Sequence, residues 1–194
     1  MAESKSQPAP TTAVYSPAAR HLHWLTFGLI AIQAPLGLIM TSYAERTKFA
    51  APSGQMYDAH KLIGMVILLV VAARLIYRLA KGAPADEPTI EPWQKVASHA
   101  THWGIYGLLI VVPVIGWLAV SYYGPFEPFG IKLPRLAGDD QATADRLFLV
   151  HKLTAFALIG LIAMHVGAAL FHYVVRKDGV LNRMLPSLPR RDGK

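Results

Sequence analysis

Residues 150–179, VHKLTAFALIGLIAMHVGAALFHYVVRKDG, decide the fold. Between Lys152 and Arg176 there is no Asp, Glu, Lys or Arg. A helix needs about 20 mostly apolar residues to cross the hydrocarbon core of a bilayer, and this run is long enough. Lys152 on one flank and Arg176-Lys177 on the other are the cations that mark the ends of such a span. Three histidines, His151, His165 and His172, are set into it.

Working outward, the same pattern recurs three times. Ser16-Pro17, a suitable N-cap and first helical residue, opens a span over residues 18–41. A second covers 55–80 and stops at Lys81-Gly82-Ala83-Pro84. A third covers 96–122 with Pro113 inside it, an expected kink of a kind membrane helices tolerate. With the fourth, over 143–175, these predict an all-α integral membrane four-helix bundle. Residues 1–15 are expected to form a disordered cytoplasmic tail, 16–186 the membrane domain and 187–194 a basic cytoplasmic tail. The first 20 residues hold no apolar core of a secretory signal.

Composition agrees. The chain is 53% hydrophobic and only 16% charged, against roughly 25% charged in an average soluble domain. Its net charge of +7 raises the question of nucleic acid. The basic residues cap apolar segments instead of forming a stripe, so lipid headgroups account for them and no nucleic-acid partner is expected. Lys5, Arg20, Arg74, Arg78, Lys81, Lys95, Arg176, Lys177, Arg183, Arg190, Arg191 and Lys194 fall on the side of the termini. Arg46, Lys48, Lys61, Lys132, Arg135, Arg146 and Lys152 fall on the other. The positive-inside rule then predicts a multi-pass membrane protein with both termini in the cytoplasm.

The chain has no cysteine, which removes disulfides, thiolate-held clusters and thioether-linked haem. Its eight histidines carry the chemistry. His151 and His165 are 14 residues apart, about 21 Å along a helix and within about 40° of the same direction. One helix thus offers a ligand at each of two depths. His60 in the second span matches His151 in depth, and His23 in the first broadly matches His165. Two b-type haems stacked across a bilayer need that geometry, and two axial histidines give iron without an open site, suited to passing electrons. A zinc or iron transporter would add carboxylates at mid-depth, and the four spans have none there. His172 lies seven residues beyond His165, on nearly the same face, where an imidazole can meet a quinone or a headgroup. His102 is a rival ligand on the terminal side. His21 can border a pocket against the fourth helix, and His99 reads as interfacial. Arg74, 14 residues after His60, is expected either to pair with a haem propionate or to snorkel to the headgroups.

Taken together, HWLTF from His23, AHKLIGMVILLVVAARLIYRL from Ala59, HATHWGIY from His99 with VVPVIG after it, and the segment from Val150 with its KDGVL-RM-P tail resemble the prokaryotic cytochrome b561 family, and within it the branch of di-haem superoxide oxidases. The resemblance implies haem ligation by His23 with His165 and by His60 with His151, and ubiquinone binding near His172 with His21 beside it. At the position of His21 a member of that branch carries serine. The implied activity is a superoxide:ubiquinone oxidoreductase: superoxide is oxidised on the periplasmic side and ubiquinone is reduced. The resemblance also implies that the membrane is the bacterial inner membrane. No catalytic side chain is assigned, since the redox chemistry belongs to the cofactors, and His172 can donate to a quinone carbonyl or exchange its proton. The alternative is an electron-relay membrane anchor fed by a periplasmic dehydrogenase or carrier protein.

Overall fold

A computed structural model describes residues 13–189. The expected tails at 1–12 and 190–194 lie outside the described residues. Four helices, α1 (Pro17–Thr47), α2 (Ser53–Lys81), α3 (Pro92–Tyr123) and α4 (Gln141–Phe171), account for most of the chain, and each is long and apolar enough to cross a membrane. A π-helical turn (His172–Arg176) continues α4, and short 3-10 turns occupy Pro128–Gly130 and Leu181–Arg183. The bundle is all-α among the described residues, as the apolar runs predict.

Local chemistry sets the helix ends. Ser16 Oγ accepts from the Ala19 N–H at 3.3 Å, with Pro17 at the first position. α3 starts four residues before the apolar run, because Glu91 and Gln94 form a reciprocal capping box around Pro92. Asp140 accepts from the Thr143 N–H at 3.2 Å and caps α4. α1 runs past its expected end at residue 41 to Thr47. Ser42 and Thr47 return their hydroxyls to carbonyls four residues back, so polar residues extend the helix beyond the apolar span. α3 continues through Pro113, and α1 through Pro35.

α1 packs on α2, α2 on α3 and α3 on α4, the last being the broadest contact. Ile67, Val71, Leu109, Val112 and Leu158 form a buried apolar core at mid-height. Leu158 stands seven residues from both His151 and His165, so this core separates the two histidine levels. Leu25, Ile32, Leu69, Ile76, Leu153 and Phe156 point outward, as a lipid-facing surface requires.

The end where the described residues begin and end, here the terminal end, is laced together by arginine. Arg183, only 9% exposed, donates to the carbonyls of Ala13, Pro84 and Ala85, and its guanidinium lies over the Tyr15 ring. The Tyr15 N–H in turn bonds the Arg183 carbonyl at 3.2 Å. Among the described residues, this clasp ties residues 13–15 to Arg183. At the opposite, loop end, the Phe129 N–H donates to Asp58 and Arg135 donates to the Ser121 carbonyl, which fixes the 128–136 segment against the helix tips.

Candidate functional site

At the loop level, α2 and α4 bring His60 and His151 together with ring centroids 6.1 Å apart. Each ring lies across one turn of a neighbouring helix. His151 crosses α3, where its Nδ1–H donates to the Val112 carbonyl at 2.9 Å. One turn on, Gly116 leaves the space: a Cβ there would meet His151 Cε1 and Nδ1 at 2.9 Å. The His60 ring meets α1 at a glycine, but its Nδ1 is buried without a hydrogen-bond partner among the described residues. Gln33 donates to the His60 carbonyl at 2.9 Å, and a Cβ on Gly37, four residues later, would come within 2.9 Å of His60 Cε1. Gln33, Gly37 and Gly116 do not stand out in the sequence. The available signal is a glycine inside a helix, unfavourable by roughly 0.5–1 kcal/mol relative to alanine, at the depth of a histidine on a neighbouring helix.

At the terminal level, His23 of α1 and His165 of α4 stand 6.2 Å apart between ring centroids. His102 of α3 joins them, 5.1 Å from His165. Arg74 neither snorkels outward nor stands alone. It donates to His23 Nδ1 at 2.8 Å and lies over the Tyr106 ring at 5.0 Å.

His172 stands apart from these levels, in the π-helical turn, with its Nδ1 2.6 Å from Asp178 Oδ2. His21 is exposed, and among the described residues no hydrogen bond, ion pair or ring contact joins it to His172. His99 lies 3.5 Å from Asp86 at the surface. Asp178 is a partner of His172 that sequence reasoning missed: six residues on, a regular helix would carry it about 120° around the axis.

The prokaryotic cytochrome b561 model matches residues 14–187. The chain belongs to the prokaryotic cytochrome b561 family. It is 30% identical to cytochrome b561 homolog 2 of Escherichia coli over 175 residues, 88% of this chain and 90% of that protein. It is 32% identical to a probable superoxide oxidase of Yersinia pestis over 169 residues, 85% of this chain and 92% of that one. A cytochrome b562 of Cereibacter sphaeroides matches at 30% identity over 84% of this chain and 90% of its own length. The protein is thus a membrane-embedded haem electron-transfer cytochrome of the b561 type, and haem b is the cofactor its family implies.

The histidine pairs fit that cofactor. With metal–imidazole bonds of about 2.0 Å and a nitrogen about 1.1 Å from its ring centroid, two rings that share one metal have centroids about 6.2 Å apart. Both His23–His165, at 6.2 Å, and His60–His151, at 6.1 Å, meet this. His102–His165, at 5.1 Å, is too close to hold an ion between the rings.

Proton placement separates the pairs. The Val112 carbonyl fixes the His151 proton on Nδ1 and leaves Nε2 free to ligate. Arg74 can only donate, so His23 accepts at Nδ1 and carries its proton on Nε2. Ligation through His23 Nε2 therefore requires Arg74 to release the ring, and a propionate is the partner that would draw it away.

Proposed function

We propose that this cytochrome is a superoxide:ubiquinone oxidoreductase of the bacterial inner membrane, with its terminal end cytoplasmic and its loop end periplasmic. Two haems b, held by His60 with His151 and by His23 with His165, supply one-electron carriers at two depths. The observation that carries the reading is the pair of matched separations, 6.1 and 6.2 Å, anchored 14 residues apart on α4. Two superoxide anions give two dioxygen molecules and two electrons. One ubiquinone takes up those electrons and two protons and leaves as ubiquinol.

The chain's residues supply position and charge. At the loop end Lys61 is paired with Asp58, and Arg135 is held by Asp139 and Ser121. Among the described residues, Arg46, Lys48, Lys132 and Lys152 have no ion-pair partner within 4.0 Å, so they remain to attract an anion. At the terminal end Leu170, Phe171, Val174 and Val175 are exposed around His172. A quinone can approach such a lipid-facing surface sideways from the bilayer. The probable superoxide oxidase among the relatives supports the choice of donor.

The reading is tested by stopped-flow mixing of the air-oxidised, detergent-purified holoprotein with superoxide, followed at the haem alpha band, with a quinone analogue added afterwards. Reduction at near-diffusion rates, abolished by catalytic removal of superoxide and followed by quinone reduction, is expected. Sluggish reduction of a protein with a normal two-haem spectrum would overturn it. One observation favours a second reading, an electron relay fed by a periplasmic protein. Phe129, Ile131 and Leu136 are large apolar residues left exposed on the loop-end segment, the kind of side chains a docking partner covers. Quinone reduction that depends on a copurified protein would select that reading.

A further inference from the structure

At the end of α4 the backbone does something the electron path does not require. A regular helix would place residue 178 about 9 Å beyond His172 and about 120° around the axis from it. Instead the helix widens into the π-turn His172–Arg176, and Lys177 takes the left-handed conformation at φ 53°. The N–H groups of Lys177 and Asp178 both return to the His172 carbonyl. This reversal folds Asp178 back over the ring of His172.

The resulting contact is short and enclosed. Asp178 Oδ2 accepts from His172 Nδ1 at 2.6 Å, with the two side chains 5% and 12% exposed. Asp178 Oδ1 accepts from the Val180 N–H at 3.2 Å, and the Arg176 guanidinium stands 3.9 Å away. Arg176 is itself tied to the Thr89 carbonyl at 3.0 Å. The carboxylate is thus held from several directions, and Nδ1 is the ring atom committed to it. Wide turns of this kind are uncommon and recur at functional sites. An imidazole oriented by a carboxylate at one nitrogen presents the other in a fixed direction.

We propose that Asp178 is a positioning residue of the quinone site: it fixes the His172 ring so that Nε2 faces the quinone oxygen. This rests on the reading of His172 as that site. A proton on Nε2 passes to a quinone oxygen as the quinone is reduced, and a proton taken up from the aqueous medium on the terminal side replaces it. Two electrons and two such protons complete the quinol. Asp178 itself gains and loses nothing.

The test is a double-mutant cycle on the holoprotein with a short-chain quinone, using Asp178→Asn, His172→Gln and both together. Asp178→Asn is expected to lower the quinone-reduction kcat about 10- to 100-fold, with little change in KM and with haem content and superoxide-driven haem reduction unchanged. His172→Gln does the same, the double variant is no worse than His172→Gln alone, and Asp178→Glu recovers part of the loss. Multiplying effects, or an unaffected Asp178→Asn, would overturn the pairing while leaving His172 in place. Full turnover in His172→Gln would instead remove the quinone-site reading itself. Should Asp178→Asn fail to fold, the reduced, diamagnetic wild-type holoprotein labelled with 15N-histidine decides. A far-downfield His172 Nδ1 proton is expected, and its absence sinks the proposal.

Discussion

At the loop level each histidine ring rests across a helix turn that offers a glycine, and His151 donates to a backbone carbonyl. At the terminal level Arg74, His102 and Tyr106 crowd around His23 and His165, and the proton on His23 is placed by a side chain. The loop level is therefore preset by one backbone carbonyl, at His151, and by the absence of side chains at Gly37 and Gly116. The terminal level is set by groups that have alternative partners. A rigid site is fragile to added volume, whereas an adjustable one is sensitive to the loss of a charge.

The largest effect should follow from adding volume at the loop level. Under the proposed two-haem arrangement, Gly116→Val is expected to remove the haem assigned to His60 and His151, while that assigned to His23 and His165 stays. Overpacking of this kind costs roughly 1–3 kcal/mol, and here it also displaces His151 Nδ1 from Val112. Gly116→Ala and Gly37→Ala should give partial loss. Pyridine haemochrome analysis of haem per chain checks this, and two full haems in Gly116→Val would break the comparison.

Removal of charge probes the other level. Arg74→Leu is expected to weaken haem retention at His23/His165 about 10- to 100-fold, the usual cost of losing a group that orients a ligand or binds the cofactor. The loop-level haem should be untouched, which haem-transfer rates to apomyoglobin would resolve. His102→Leu sharpens the point with a smaller effect. The 5.1 Å separation places His102 beside His165 and not across an ion from it. Both haems should remain, with a change confined to one potential in a redox titration. Loss of a haem in that variant would show that His102, whose Nδ1 lies 2.7 Å from the Ser98 carbonyl and whose Nε2 is free, is the ligand in place of His23.

The same contrast explains what the sequence made legible. Helix number and the depth matching of His60 with His151 and His23 with His165 follow from hydropathy and a rise per residue, both local properties. So does the N-cap at Ser16. The capping box at Glu91 was equally local but lay outside the apolar run that defined the span. Gly37, Gln33 and Gly116 were not legible, because their meaning depends on which helix turn faces which ring. Asp178 was hidden for another reason: a helical period puts it on the wrong side, and only the π-turn and Lys177 bring it back. Arg183 read as one more terminal-side cation, yet its guanidinium is spent on three carbonyls from two other segments.

The smallest expected effect concerns how the two ends respond to acid. The hydroxyl and backbone N–H of Thr143 hold the Asp140 carboxyl below its ordinary range at the start of α4. A depressed folded-state value means stability that is present above the ordinary carboxylate range and is lost as pH falls through the folded value. The Arg183 clasp joins a guanidinium to backbone carbonyls and contains no carboxylate. Asp140→Ala should therefore lower the thermal midpoint of the detergent-solubilised holoprotein slightly at neutral pH, with the difference from wild type shrinking as the medium is made more acidic. Arg183→Ala should lower it by an amount that acid does not reduce. If the Asp140→Ala difference persists undiminished at the lowest pH the fold survives, the cap acts through packing or helix propensity, and the division between a carboxylate cap at the loop end and a guanidinium–carbonyl clasp at the terminal end fails.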